Sequence, residues 1–123
     1  MDFHFINGIK IYVPNDRSQL IDKAVIEKKF LIAINAEKIM NLSQPEKKII
    51  NLNIAYADGA GTVMVLNKKG INKAEKIPGC ELWLEVISRY YDSKSFYIVG
   101  SKQVVLDQAI HKLKQNFPGI NII

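Results

Sequence analysis

The sequence predicts an α/β fold that is Rossmann-like: a mostly parallel open sheet with alternating helices, truncated at the fourth or fifth strand. Two observations predict this fold. Apolar residues recur with strand-like and helix-like periods in alternating segments of the chain. Residues 30–34 are apolar throughout, as in a central parallel strand that is covered on both faces. The 123 residues contain no repeat or linker, so we expect a single α/β domain over residues 1–123.

The first predicted strand and helix lie between residues 8 and 28. Residues 8–13 alternate apolar and polar side chains, which predicts a half-buried strand, and a turn follows. Either Asp16 or Ser18 can cap a helix that continues to about Lys28. The predicted buried stripe of this helix consists of Leu20, Ile21, Ala24 and Val25.

The buried strand over residues 30–34 ends at Asn35, and a short turn of helix is predicted over residues 36–41. Residues 43–46 read Ser-Gln-Pro-Glu, a strong helix-start signal, because the serine can cap while proline and glutamate suit the first turn. This second full helix is predicted to continue to about Leu52.

A second buried strand is predicted over residues 53–57, followed by the glycine-rich turn 58–61. Residues 62–69 favour a helix that Gly70 terminates as the C-cap. Residues 75–78 are predicted to be irregular. The next helix, over residues 79–91, is predicted to bury Leu82, Trp83, Val86 and Ile87.

The last predicted elements are a third buried strand over residues 95–99, a tight turn at Gly100 and Ser101, and a helix that continues to about Asn116. Residues 120–123 begin a fourth strand. The predicted buried side chains of the last helix are Val104, Val105, Ala109, Ile110 and Leu113.

The composition excludes several classes of protein. The net charge of +5 suits an anionic partner, but no arginine-rich face or known motif points to nucleic acid, so none is expected as a partner. One cysteine and two histidines cannot form a disulfide or a zinc site. No apolar run is long enough to span a membrane, and the first residues lack a signal-peptide pattern, so we expect a cytoplasmic location.

Polar signals follow the predicted buried strands, where ligands bind in such sheets. They are Asn35, the turn that begins with Asp58, and the turn at Gly100 and Ser101. Asp58 has two readings from its position: it caps the next helix, or it acts as a base on a sugar hydroxyl. A dinucleotide-binding turn at Gly59 and Gly61 is the weaker alternative, because position 64 is methionine instead of a third glycine.

Four segments occur in a fairly specific order: residues 57–63 (ADGAGTV), 75–82 (EKIPGCEL), 96–101 (FYIVGS) and 117–122 (FPGINI). In this order the chain resembles the bacterial WecG/TagA/CpsF glycosyltransferases, glycosyltransferase family 26. The resemblance runs from about residue 7 to the end and matches the N-terminal, base-bearing half of a family member.

The resemblance implies transfer of an N-acetylhexosamine-type sugar, such as N-acetylmannosamine or its uronic acid, from a UDP-sugar to an undecaprenyl-pyrophosphate-linked acceptor. It implies inversion, no required metal and no other cofactor. The reaction would occur at the inner face of the cytoplasmic membrane, through peripheral contact. Its products would be precursors of teichoic acid linkage units, enterobacterial common antigen or capsule.

The resemblance also assigns roles to residues. Asp58 would be the general base, Asn35 would line the same pocket, and Lys76 would contact phosphate. The remaining predicted substrate-binding residues are Gly59, Gly61, Gly79, Gly100 and Ser101, of which the last two would approach the nucleotide.

Several positions depart from the family's pattern. Ala33 replaces a common threonine, and Lys76 replaces the usual arginine, which keeps the charge but loses bidentate phosphate geometry. Glu81 replaces the more usual aspartate, and Gly100-Ser101 replaces a Gly-Gly turn.

The resemblance to half of a family member carries further expectations. The chain alone is expected to be a poor catalyst and to associate with itself through the bare sheet edge at residues 120–123. The alternative function is a non-catalytic nucleotide-binding or interaction module left by truncation.

Overall fold

A computed structural model describes residues 1–71 and 76–123, so Glu75, predicted to be irregular, lies outside the described residues. The chain forms two compact units, Met1–Leu82 and Trp83–Ile123. The first contains β1 Asp2–Ile6, β2 Ile9–Val13, α1 Arg17–Glu27, β3 Leu31–Ile34, α2 Ala36–Asn41, α3 Gln44–Asn51, β4 Ile54–Ala57 and α4 Ala60–Lys68. Helix α5, Gly79–Tyr90, begins in the first unit, and the second continues with β5 Ser95–Phe96, α6 Gln103–Asn116 and β6 Asn121–Ile122.

The sheet of the first unit has the strand order β1-β2-β4-β3. The prediction of a central, fully covered strand over residues 30–34 is wrong, because β3 lies at the sheet edge and only Ile34 is buried. Strand β4 pairs in parallel with both β2 and β3, which confirms the predicted α/β fold with a mostly parallel sheet. Strand β1 pairs antiparallel with β2 and was not predicted. Its signal is the dipeptide Asn7-Gly8, whose φ angles of 47° and 79° suit a two-residue hairpin turn between alternating apolar segments.

The main core lies on one face of this sheet. Ile11, Ala55 and Ile34 from three neighbouring strands are fully buried there. Helices α2, α3 and α4 cover them with Ile39, Ile50 and Leu66. The opposite face presents Tyr12 and Tyr56 side by side, because they are register partners of β2 and β4.

The helix ends of the first unit follow local chemistry. Asp16 caps α1, since its side chain accepts a hydrogen bond from the Gln19 N–H, which decides between Asp16 and Ser18. Ser43 and Glu46 form the predicted capping box at α3. The predicted burial of Val25 is wrong, because it lies on the exposed side of α1.

The C-cap of α4 lies one residue before the predicted one, Gly70. Lys69 is the C-cap, and Gly70 follows in the left-handed region, with φ of 84°. The Ile71 N–H donates to the Leu66 carbonyl at 3.1 Å, and both side chains are buried, as in a Schellman motif.

The second unit contains a small parallel sheet of β5 and β6 beside a cluster of Ile87, Leu113 and Ile120. The predicted buried strand over residues 95–99 is wrong beyond Phe96. Side chains alternate between two faces in this extended segment, and only one face is covered. Phe96 and Ile98 pack against the cluster, whereas Tyr97 and Val99 are 75% and 79% exposed.

Other apolar positions predicted to be buried are also exposed. They are Trp83 in α5 and Val104 and Val105 in α6. Leu82, Ile87 and Leu113 are buried as predicted. Helical spacing correctly predicted which side of each helix is apolar. It predicted too many buried residues, because only the centre of each apolar side packs against the rest of the protein. None of the described helices is both long and apolar enough to span a bilayer.

Candidate functional site

Asp58 and Asn35 lie at the same edge of the main sheet, because β4 and β3 are parallel and end together. The Asp58 N–H donates to the Ile34 carbonyl at 2.9 Å, so the first residue after β4 stays attached to the end of β3. The edge that carries both side chains is the one where ligands bind in open parallel sheets.

The Asp58 carboxylate is half-buried and contacts the start of α5. Its Oδ2 accepts a hydrogen bond from the Gly79 N–H at 3.3 Å. Within the described part of the chain, no donor bonds the second oxygen, Oδ1. The Gly79 N–H therefore fixes one oxygen of the Asp58 carboxylate against the start of α5.

The interpretation of Asp58 as the cap of the following helix is wrong. The N-cap of α4 is Gly59, with φ of 101°, and no side chain caps this helix. A residue with a Cβ rarely adopts that φ, which explains the glycine directly after Asp58. The carboxylate contacts α5, which lies far along the chain from the helix that it precedes.

Gly79 lies where three elements meet closely. A Cβ placed on Gly79 would lie 3.2 Å from the Tyr56 hydroxyl, 3.4 Å from Asp58 Oδ2 and 3.7 Å from the Ala33 Cβ. Tyr56 is only 4% exposed, and its burial, together with the neighbouring negative charge of Asp58, raises the pKa of the phenol to about 12. The phenol therefore stays protonated beside the carboxylate at neutral pH.

Asn35 caps α2, where its Oδ1 accepts a hydrogen bond from the Lys38 N–H at 2.9 Å. A Cβ placed on Gly59 would lie 3.9 Å from the Asn35 Cβ, so the structure brings Asn35 next to the Asp58 turn. At Gly61, a Cβ would lie only 3.1 Å from that of Ala36. Gly61 thus allows the first turns of α4 and α2 to approach each other.

Lys76 is exposed and lines an open groove of about 520 Å³ on α4 with Ala60, Val63, Met64, Asn67 and Lys68. Gly100 and Ser101 lie before α6 in the second unit, with φ of 125° and 62°, but they do not join a strand directly to the helix as predicted, because β5 ends at Phe96. The structure thus brings together Asn35, Asp58, Gly59 and Gly79, whereas Gly100 and Ser101 belong to the other unit.

The sequence profile of the Glycosyl transferase WecG/TagA/CpsF family matches residues 6–123. The match covers nearly the whole chain and includes every predicted site residue. The chain belongs to this family. A WecG/TagA/CpsF protein is a glycosyltransferase, so the substrates are, in general terms, a sugar donor and an acceptor.

One polar contact of this WecG/TagA/CpsF chain was not predicted. Arg17, at the start of α1, forms an ion pair with Glu81 in the first turn of α5, with Nη2 and Oε2 2.8 Å apart. Arg17 also borders a water-sized cavity of about 30 Å³ at the end of β2. The available sequence signal was weak: Arg17 begins α1 four residues after the end of β2.

The acidic side chains within the described ranges of this family member do not converge on a metal centre. Among residues 1–71 and 76–123, no three His, Cys, Asp or Glu side chains lie close enough to hold an ion. At the sheet edge, the Asp58 carboxylate and the Tyr56 hydroxyl both lie close to Gly79, and Asn35 lies beside Gly59.

Proposed function

We propose that this WecG/TagA/CpsF glycosyltransferase transfers an N-acetylhexosamine-type sugar from a UDP-sugar to an undecaprenyl-pyrophosphate-linked acceptor in cell-envelope polysaccharide biosynthesis. N-Acetylmannosamine and its uronic acid are the proposed sugars. Teichoic acid linkage units, enterobacterial common antigen and capsule are the candidate products. One observation carries the proposal: a transferase-family chain holds a half-buried carboxylate, Asp58, at the ligand-binding edge of its sheet.

Asp58 is proposed as the general base of an inverting transfer. Its carboxylate accepts the proton of the attacking acceptor hydroxyl, while that hydroxyl oxygen forms a bond to the anomeric carbon. The bond between the anomeric carbon and the phosphate oxygen breaks at the same time, and its electron pair leaves with UDP. The Gly79 N–H holds one carboxylate oxygen, so the other can meet the acceptor in a fixed orientation.

The sugar itself is proposed to lie between Asp58 and Asn35. Asn35 uses its amide oxygen to cap α2, and its Nδ2 group can donate to a sugar hydroxyl. Gly59 adds no side chain beside Asn35 at this edge. Gly61 and Gly79 are proposed to act indirectly, because they let α2 and Tyr56 pack closely beside the turn and the carboxylate.

The diphosphate of the donor is proposed to contact Lys76. This lysine is exposed beside the α4 groove, where an ammonium group can neutralise leaving-group charge without a bound metal. Gly100 and Ser101 are the proposed contacts of the nucleotide, since a turn with positive φ exposes backbone N–H groups.

The acceptor is proposed to reach the enzyme at the inner face of the cytoplasmic membrane, through peripheral contact. The net charge of +5 supports this, because anionic lipids attract basic proteins at that face.

A transfer assay tests the proposal. The purified protein is incubated with UDP-N-acetylmannosamine or its uronic acid form, with and without an undecaprenyl-pyrophosphate-linked saccharide, and released UDP is measured. We expect slow UDP release, because the chain alone is expected to be a poor catalyst. This release should require the acceptor, persist with a chelator, and yield a product of inverted anomeric configuration. UDP release without acceptor would contradict the proposal, and UDP binding without any release would favour the non-catalytic nucleotide-binding module instead.

A further inference from the structure

The β1–β2 hairpin carries exposed aromatic rings on one face. Phe3 and Phe5 are 46% and 54% exposed, and their rings lie edge to face with centroids 5.9 Å apart. Phe3 also packs against Tyr12, its register partner on β2, at 5.9 Å. The family profile begins at residue 6, so both phenylalanines lie outside the matched segment.

Lysine ammonium groups lie over these rings. Lys10 Nζ is 4.1 Å from the Phe3 ring centroid and 5.1 Å from that of Tyr12. Lys23 Nζ, from α1, is 5.2 Å from the Tyr12 centroid and also forms an ion pair with Glu27. We call Phe3, Phe5, Lys10, Tyr12 and Lys23 the aromatic–lysine patch.

We propose that the aromatic–lysine patch docks this protein on an anionic lipid surface. Exposed phenylalanine rings lose their contact with water when they enter the boundary between headgroups and acyl chains. A lysine beside them can extend its ammonium group to lipid phosphates while its aliphatic stem covers the rings. The same face therefore offers both kinds of attraction that hold a peripheral protein at a membrane.

Charge favours lipid over a second copy of the chain. Lys23 is paired with Glu27, so the charge of Lys10 decides between the two. In a symmetric contact between two patches, Lys10 of one copy would lie near Lys10 of the other, and such like charges repel. An anionic lipid surface instead meets these charges with the opposite sign. The overall charge of +5 adds to this attraction.

The patch also lies near the candidate site. Phe3, Tyr12, Tyr56 and Ala33 are successive register partners across β1, β2, β4 and β3. Phe3 is therefore two strand spacings, about 10 Å, from Tyr56. A lipid surface on the patch would bring a membrane-bound acceptor to the side of the sheet that leads to Asp58. This step rests on the membrane contact of the proposed function.

Vesicle co-sedimentation tests the proposal with the full chain. The probes are vesicles of phosphatidylcholine alone and of phosphatidylcholine mixed with anionic phosphatidylglycerol. We expect binding to the mixed vesicles only, weakened by added salt. The double variant F3S/F5S should bind about tenfold more weakly, and Lys10→Gln about fivefold more weakly.

The matched control is Tyr97→Ser, which removes an aromatic ring that is 75% exposed in the second unit. It should bind like the wild type, and thermal melting should show that every variant is folded. Lys10→Gln keeps the test valid if F3S/F5S fails to fold, because the Lys10 side chain lies at the surface of the hairpin.

The outcomes separate this proposal from the proposed function. Equal vesicle binding by the wild type, F3S/F5S and Lys10→Gln would overturn the patch while leaving membrane contact intact. Absence of vesicle binding by the wild type would overturn both the patch and the membrane contact, but acceptor-dependent UDP release would still test the transfer reaction. Wild-type dimers that F3S/F5S converts to monomers, without vesicle binding, would show that the patch binds a second copy.

Discussion

At the scale of single residues, the candidate site depends on how closely Gly79 approaches Tyr56 and Asp58. The Gly79 N–H fixes one carboxylate oxygen, and the missing side chain of Gly79 leaves room for the phenol. The φ angle of Gly79 is not in the left-handed region, so backbone conformation does not require glycine here. The close approach of Tyr56 and Asp58 explains the glycine instead.

Substitution of Gly79 by alanine should therefore cost stability because of the Tyr56 hydroxyl. The new Cβ would lie 3.2 Å from that oxygen, so the phenol or the helix must shift. We expect Gly79→Ala to lower the free energy of unfolding by about 1–2 kcal/mol. In a Tyr56→Phe background the cost should largely disappear, since the opposing atom is absent. Urea denaturation of the four proteins measures this coupling, and an equal cost in both backgrounds would contradict it.

Tyr56 should also make stability sensitive to alkaline pH. Its folded pKa of about 12 is above the ordinary value of 10.0, because burial and the Asp58 charge disfavour the phenolate. The stabilisation is complete below the unfolded pKa and is lost as pH rises through the folded pKa. Between these values we expect the wild type to lose about 2 kcal/mol that Tyr56→Phe does not lose. Parallel pH profiles of the two proteins in urea denaturation would rule this out.

At the scale of elements, helix α1 begins at a single capping side chain. Asp16 accepts the Gln19 N–H, whereas Ser18 lies inside the first turn. We expect Asp16→Ala to lower the free energy of unfolding by about 1 kcal/mol. Ser18→Ala is the matched control and should be neutral or slightly stabilising, since alanine favours helix. Thermal melts with the reverse order of stability would assign the cap to Ser18.

Local chemistry made some elements readable from the sequence alone. The capping box at Ser43, the apolar strand that ends at Ile34 and the short helix α2 were all predicted with bounds close to those observed. Strand β1 was missed because its exposed Phe3 and Phe5 do not produce a buried pattern. The strand predicted over residues 95–99 was too long, because only alternate side chains find a cluster to pack against.

The candidate site was predictable only in part. Asp58 follows the buried strand β4 and Asn35 follows the apolar edge strand β3, and the parallel pairing that brings them to one edge could be inferred from alternating elements. The hydrogen bond from Gly79 to Asp58 and the Arg17–Glu81 ion pair join residues that are distant in sequence. No local pattern contains such contacts, because the tertiary packing of α5 creates them.

At the scale of the whole molecule, the two compact units differ in how their sheets are protected. In the first, β4 pairs on both sides and all of its residues are buried. In the second, β5 and β6 pair over only two residues each. We expect the slowest amide hydrogen exchange in β4 and exchange at least about tenfold faster in β5 and β6. Uniform protection across both sheets, measured by mass spectrometry, would contradict this division.

The central claim is that this family member transfers a sugar with Asp58 as its base. Asp58→Asn tests it most directly, because asparagine keeps the size of the side chain and an oxygen for the Gly79 N–H but cannot accept the acceptor proton. The measurement is steady-state UDP release with lipid-linked acceptor, beside UDP-sugar affinity and thermal melting. Asp92→Asn, an exposed aspartate of the second unit, is the control. We predict turnover lowered by roughly 10²–10⁴-fold in Asp58→Asn alone, with affinity and melting temperature little changed. Near-normal turnover in Asp58→Asn would contradict the base role.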